Sequence, residues 1–158
     1  NPFKKYAGEI EFELHMMVEE PVNYLKSWAD AGFVRFIGQI EKMSDQAEFV
    51  AQGQLLGEVG LAVDSPTPLN KITVPLTDLD ILFFMTVKAG ASGEEFEENN
   101  LEKIAIIKNN FVPIEVDGGI NPETIIKARN AGAARFVATS FIFQGNAKEN
   151  YNRLLIKE

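Results

Sequence analysis

The stretch Leu79-Asp80-Ile81-Leu82-Phe83-Phe84-Met85-Thr86-Val87 is apolar almost without a break. A strand with one wet face alternates apolar and polar residues, and this one does not. A strand buried on both faces belongs to a parallel sheet covered by helices. The rest of the chain follows the same rule. Strand patterns at 10–18, 33–40, 58–63, 79–87, 112–117 and 134–139 alternate with helical patterns. Val22, Leu25, Trp28 and Ala29 recur at helical spacing after Pro21, and Gly32 closes that helix. Further helical patterns run over 42–56, 99–109 and 121–131 and beyond Ala147, with a turn or short helix near 69–74. Parallel neighbours need crossover connections, usually helices, so the class is α/β.

Two α/β architectures compete. One is an open doubly wound sheet; the other is a (β/α)8 barrel, which usually takes about 200 residues or more. The chain has 158 residues, and six units are too few to close such a barrel. No glycine fingerprint of the dinucleotide-binding type follows the first strand, so that doubly wound reading loses its main support.

Composition narrows the function classes. The formal charge of -8 argues against a nucleic-acid backbone as partner. No apolar run approaches the roughly 18 residues of a membrane span, so no membrane partner is expected. There is no cysteine, hence no disulfide framework and no thiolate chemistry. The first residues, Asn-Pro-Phe-Lys-Lys-Tyr, show no signal-peptide pattern, which points to a cytoplasmic metabolic protein.

The chemistry is expected around Ile114-Glu115-Val116-Asp117-Gly118-Gly119. An acid at the carboxyl end of a parallel strand, on a glycine turn, sits where barrels keep their catalytic groups. Paired glycines also admit a phosphate to backbone N–H groups. Asp117 as a turn cap is the plainer alternative. His15, the only histidine, lies at the carboxyl end of the first strand, and with Asp117 it offers two donors for a divalent ion. Met16, Met17 and Met85 lie near strand ends as core or as soft contacts to a ligand. Lys88 to Gly93 and Ala138-Thr139-Ser140 suit a phosphate loop, with Gly118, Gly119 and Ser140 as backbone donors. Asp78, Asp80 and the acids from Glu94 to Glu98 read as solvated surface.

In order along the chain, these motifs resemble the ribulose-phosphate 3-epimerase family. Glu13-Leu14-His15-Met16-Met17-Val18 with Pro21 is similar to its third unit, and Gly60-Leu61-Ala62 with Thr67-Pro68-Leu69 to its fifth. Met85-Thr86-Val87 with Gly90, Gly93 and Phe96 resembles the sixth, Val116-Asp117-Gly118-Gly119-Ile120 the seventh, and Ala138-Thr139-Ser140-Phe141 the eighth. The resemblance implies a TIM-type (β/α)8 barrel acting on a ketose phosphate by inverting carbon 3. It implies a divalent ion of the zinc, iron, manganese or cobalt type, with His15 and Asp117 as ligands. Asp117 is then also one of two acid–base aspartates. Met17 and Met85 approach the intermediate, and Gly90, Gly93, Gly118, Gly119, Thr139 and Ser140 bind substrate.

The match also departs from the family. The serine, the second histidine and the second aspartate of the family's first two strands have no counterpart here, and Gly38 stands at a fourth-strand histidine position. The expectation is a single partial barrel domain over 1–158, lacking the first two units and equivalent to units three to eight. Inversion takes two carboxylates, so the chain alone is expected not to epimerise. The alternative is a non-catalytic partial barrel that binds a phosphate ligand or a partner. Open sheet edges favour pairing with a second copy, a homo-oligomer.

Overall fold

A computed structural model describes residues 2–87, 96–107 and 111–155. The described residues form six strands: β1 (Phe12–Met16), β2 (Phe33–Gln39), β3 (Glu58–Val63), β4 (Ile81–Met85), β5 (Ile114–Asp117) and β6 (Arg135–Val137). The helices are α1 (Leu25–Ala31), α2 (Gln46–Gln54), α3 (Asn99–Ile107), α4 (Thr124–Ala131), α5 (Ser140–Phe143) and α6 (Ala147–Leu154). The sheet runs in the order β1-β2-β3-β4-β5-β6. The pairings of β1 with β2, β2 with β3 and β5 with β6 are parallel. A doubly wound sheet reverses its strand order at a switch point. Here sequence order and spatial order coincide, which is the winding of a (β/α) barrel wall. The α/β class and the partial TIM-barrel architecture expected from the sequence are therefore observed.

The chain divides into two units, Asn1–Val63 with Thr67–Leu82 and Asp64–Pro66 with Phe83–Glu158. In the first, β2 and β3 bury nearly every residue, and Phe36, Ile37, Phe49, Val59 and Leu61 are fully enclosed. A ladder of charge fixes the register of the three strands. Arg35 faces Glu13 of β1 and Glu58 of β3 as Cα partners. Its guanidinium donates to Glu13 at 3.1 Å and to Glu58 at 2.5 Å. A one-residue slip of β2 would break both pairs and turn Ile37 away from its face. Helix α2 starts at Asp45, whose carboxylate accepts from the N–H of Glu48 at 3.0 Å.

The link from β3 to β4 holds two 3-10 turns: Leu69–Lys71, where a turn or short helix is expected near 69–74, and Leu76–Asp78. Pro66, Pro68 and Pro75 supply no N–H, so no longer helix propagates between them. Asp80, expected as plain surface, accepts from the N–H of Val59 at 2.9 Å and so anchors the start of β3.

In the second unit, Phe83, Phe84, Ile114 and Val116 make the sheet side of the core. Ile104 of α3 and Ile125 and Ala128 of α4 make the helix side. Asn100 is fully buried at the start of α3 and donates its amide N–H to the Met85 carbonyl, tying α3 to the end of β4.

Candidate active site

Strand β5 ends at Asp117, and the backbone beyond it is held from one side by Thr86. The Asp117 carbonyl accepts from the Thr86 N–H at 2.7 Å and from Thr86 Oγ1 at 2.9 Å. Thr86 Oγ1 also lies 2.7 Å from the Gly118 carbonyl. Thr86 is fully buried, so these bonds form out of water. The turn then takes left-handed geometry at Gly118 (φ 113°) and Gly119 (φ 64°). Asn121 Oδ1 accepts from the N–H groups of Glu123 and Thr124, and Thr124 Oγ1 donates to the Gly119 carbonyl at 2.8 Å. These bonds close the glycine turn onto the first residue of α4. Replacing Thr86 by valine keeps the shape and removes the hydroxyl from two carbonyls. The expected result is a loss of about 1–3 kcal/mol in urea unfolding, the range for a buried group left unpaired.

The turn opens on a cleft of about 640 Å3 lined by Gly119, Asn121, Thr124, Lys127, Ser140 and Phe141, among others. Gly119 and Ser140, two of the expected phosphate residues, therefore share one cavity. Gly118 packs against Val87, and Thr139 is the exposed residue before α5. Gly90 and Gly93, like Lys88, Glu94 and Glu95, lie outside the described residues. Met85 is buried, and Met17 is 37% exposed. Glu98, expected as free surface, lines the cleft and pairs with Lys127 at 2.8 Å. Glu98, then Glu123, holds the Lys127 ammonium above its ordinary pKa. Its charge is thus already compensated, and an anion in the cleft depends chiefly on backbone N–H groups.

In the first unit, His15 is half-buried on β1, beside Ile37 and one step before Met16 and Gly38. Its Nε2 lies 2.8 Å from Gln39 Oε1. The Gln39 amide nitrogen in turn donates to Glu41 Oε2 at 2.7 Å. Burial lowers the His15 pKa, opposed by the Gln39 hydrogen bond and by the charges of Glu13 and Glu41. A neutral imidazole is the form that ligates metals. Gly38, the position set against the family's fourth-strand histidine, faces the other way. A Cβ there would press into Phe49 and Met43. The side chain beside His15 is that of Gln39, one residue on and so on the opposite face of β2.

No motif in the sequence singles out Thr86 or Gln39, the side chains that bond the Asp117 carbonyl and His15. The available signals were a polar residue closing the apolar run of β4, and the period-2 row Arg35, Ile37, Gln39 on β2. An imidazole and a carboxylate each suit a divalent ion in donor type; His15 belongs to the first unit and Asp117 to the second. They fall short in number, because catalytic metal sites commonly take three protein ligands. Among the described residues, no three histidine, aspartate or glutamate side chains gather as a metal site. No helix of the described residues is long and apolar enough to cross a membrane.

Comparison with known proteins agrees with this layout. The model of the ribulose-phosphate 3 epimerase family matches residues 3–143. A ribulose-phosphate 3-epimerase of Schizosaccharomyces pombe is 32% identical over 144 residues, 89% of this chain and 63% of that protein. One of Chlamydia pneumoniae is 27% identical, covering 95% of this chain and 69% of its own. A rice protein named as a cytoplasmic isoform of the enzyme is 32% identical, covering 83% and 60%. The chain thus spans about 60–70% of the length of these relatives. A solved structure described as native KDPGal superposes with a TM-score of 0.61 at 11% identity, over 95% of this chain and 68% of the other, a likeness of fold alone. With the family match over nearly the whole chain and the strand order of a barrel wall, the chain belongs to the ribulose-phosphate 3-epimerase family.

Proposed function

We propose that the chain handles a ketose phosphate at carbon 3, with Asp117 as the group that moves the proton. The observation that carries this reading is the continuity of Asp117 with a glycine turn whose Gly119 shares a cleft with Ser140. Phosphate bound by the N–H groups of Gly118, Gly119 and Ser140 puts the sugar chain at the end of β5. The Asp117 carboxylate takes the hydrogen on carbon 3 as a proton, and the electron pair passes to the adjacent carbonyl oxygen. Positioned acid–base catalysis of this kind contributes about 10²–10⁴-fold. His15 and Asp117 are the donors this chain would offer to a divalent ion, which when bound lowers the energy of negative charge on the sugar oxygens. Met17 and Met85 are proposed as apolar contacts. Cytoplasmic location is proposed from the named rice relative.

One acid serves one face. A proton taken by Asp117 exchanges with solvent and returns to the face it left, so inversion needs a second acid opposite. Incubation of the chain with ribulose phosphate and a divalent ion in heavy water is the direct test. The expected result is deuterium at carbon 3 with little of the inverted epimer. Deuterium at another carbon overturns the proposal. Net inversion as fast as exchange overturns the single-acid assignment. Binding of the sugar phosphate without any exchange favours the second reading, a non-catalytic phosphate-binding domain, which the shared Gly119–Ser140 cleft also supports.

A further inference from the structure

The only histidine of the chain is held by a two-step hydrogen-bond relay, and the relay has a direction. A carboxylate is an acceptor only, so Glu41 can receive the Gln39 side chain solely through its amide NH2. That orients the other end of the amide, Oε1, toward His15. A carbonyl oxygen cannot donate, so the proton between Oε1 and the imidazole belongs to Nε2. We infer that Gln39 is a positioning residue, set by Glu41, that holds His15 as the Nε2–H tautomer and makes Nδ1 its lone-pair nitrogen.

The burial of the parts supports a built device. Gln39 is 3% exposed at the carboxyl end of β2, so solvent does not compete for its amide. Glu41 is exposed, in a 3-10 turn over Ile40–Lys42 directly after β2. The control element therefore sits at the surface and acts inward through one buried amide. Partner groups of this kind fix which nitrogen of a ligating histidine faces the ligand, and their removal commonly lowers metal affinity about 10–100-fold. The consequence for a ligand rests on the proposed role of His15; the tautomer itself does not.

Because the chain has one histidine, ¹⁵N NMR of the imidazole reads this site without ambiguity. In the wild-type chain, above the imidazole pKa, the expected spectrum has a protonated Nε2 and an unprotonated Nδ1. Replacing Glu41 by lysine substitutes a donor-only group at an exposed position. The Gln39 amide then turns its oxygen toward Lys and its NH2 toward His15, and the proton moves to Nδ1 in most molecules. In Gln39→Met the buried bond is gone, and exchange of the Nε2 proton with solvent accelerates at least tenfold. A wild-type chain protonated at Nδ1 overturns the inference. So does a Glu41→Lys chain, folded by circular dichroism, whose tautomer is unchanged. The spectrum reports nitrogen protonation and not turnover. A lack of carbon-3 exchange leaves this inference standing, and an unmoved tautomer leaves the epimerase reading standing.

Discussion

Replacing Gly118 by alanine is expected to destabilise the chain by about 2–6 kcal/mol, the sum of two separate penalties. The first is conformational. Gly118 has φ 113°, where a residue with a Cβ is strained, at about 1–3 kcal/mol. The second is steric. A Cβ at Gly118 would stand 2.8 Å from Val87 Cγ1 and nearer still to Cγ2. Val87 is itself 4% exposed, so it has little room to give. Forcing extra volume into a packed site typically costs about 1–3 kcal/mol. Gly145 separates the two terms. It also has a left-handed φ, 91°, but nothing lies within 4 Å of the point where its Cβ would stand. Gly145→Ala therefore carries the strain without the clash and is expected to lose about 1–3 kcal/mol. Urea unfolding of both variants measures the difference. Equal losses would show that Val87 yields, and that the turn is held by φ alone. Because the Gly118 carbonyl is one of the two bound by Thr86, the same variant is expected to weaken inorganic phosphate binding in the cleft beside it.

The architecture was legible because its signals are local. The unbroken apolar run of β4 demanded a parallel sheet, and the strand–helix alternation gave the order that the sheet then follows. The glycine turn after Asp117 was legible for a similar reason, since two adjacent glycines at a strand end restrict the possible backbone. What stayed hidden depends on contacts distant in sequence. Thr86 lies 31 residues from the carbonyl it holds at Asp117. Gln39 lies 24 residues from His15. Gly38 stands one residue before Gln39, and a single-residue displacement selects the other face of a strand. Between Ser65 and Asp78 the sequence leaves a turn and a short helix both open near 69–74, and the prolines divide the segment into two short turns.

Asp117→Asn is expected to reduce deuterium exchange at carbon 3 by about 10²–10⁴-fold, the usual contribution of a positioned base. Asparagine matches the shape of aspartate, but its amide does not take up a proton near neutral pH. Thr86 grips the Asp117 main-chain carbonyl through its own N–H and hydroxyl, a hold that the substitution leaves in place. Gly118 and Gly119 therefore keep their conformations, and phosphate affinity is expected to stay within about threefold, less than the tenfold that 1.4 kcal/mol represents. Thermal unfolding confirms that the variant remains folded. The two substitutions thus divide the site between adjacent residues. Gly118→Ala weakens stability and phosphate binding together, whereas Asp117→Asn removes proton transfer and spares both. If Asp117→Asn retained wild-type exchange, Asp117 would be the turn cap of the plainer reading, and the base would lie elsewhere. If it lost phosphate binding to the same degree as exchange, the carboxylate would be organising the turn, against the grip assigned to Thr86.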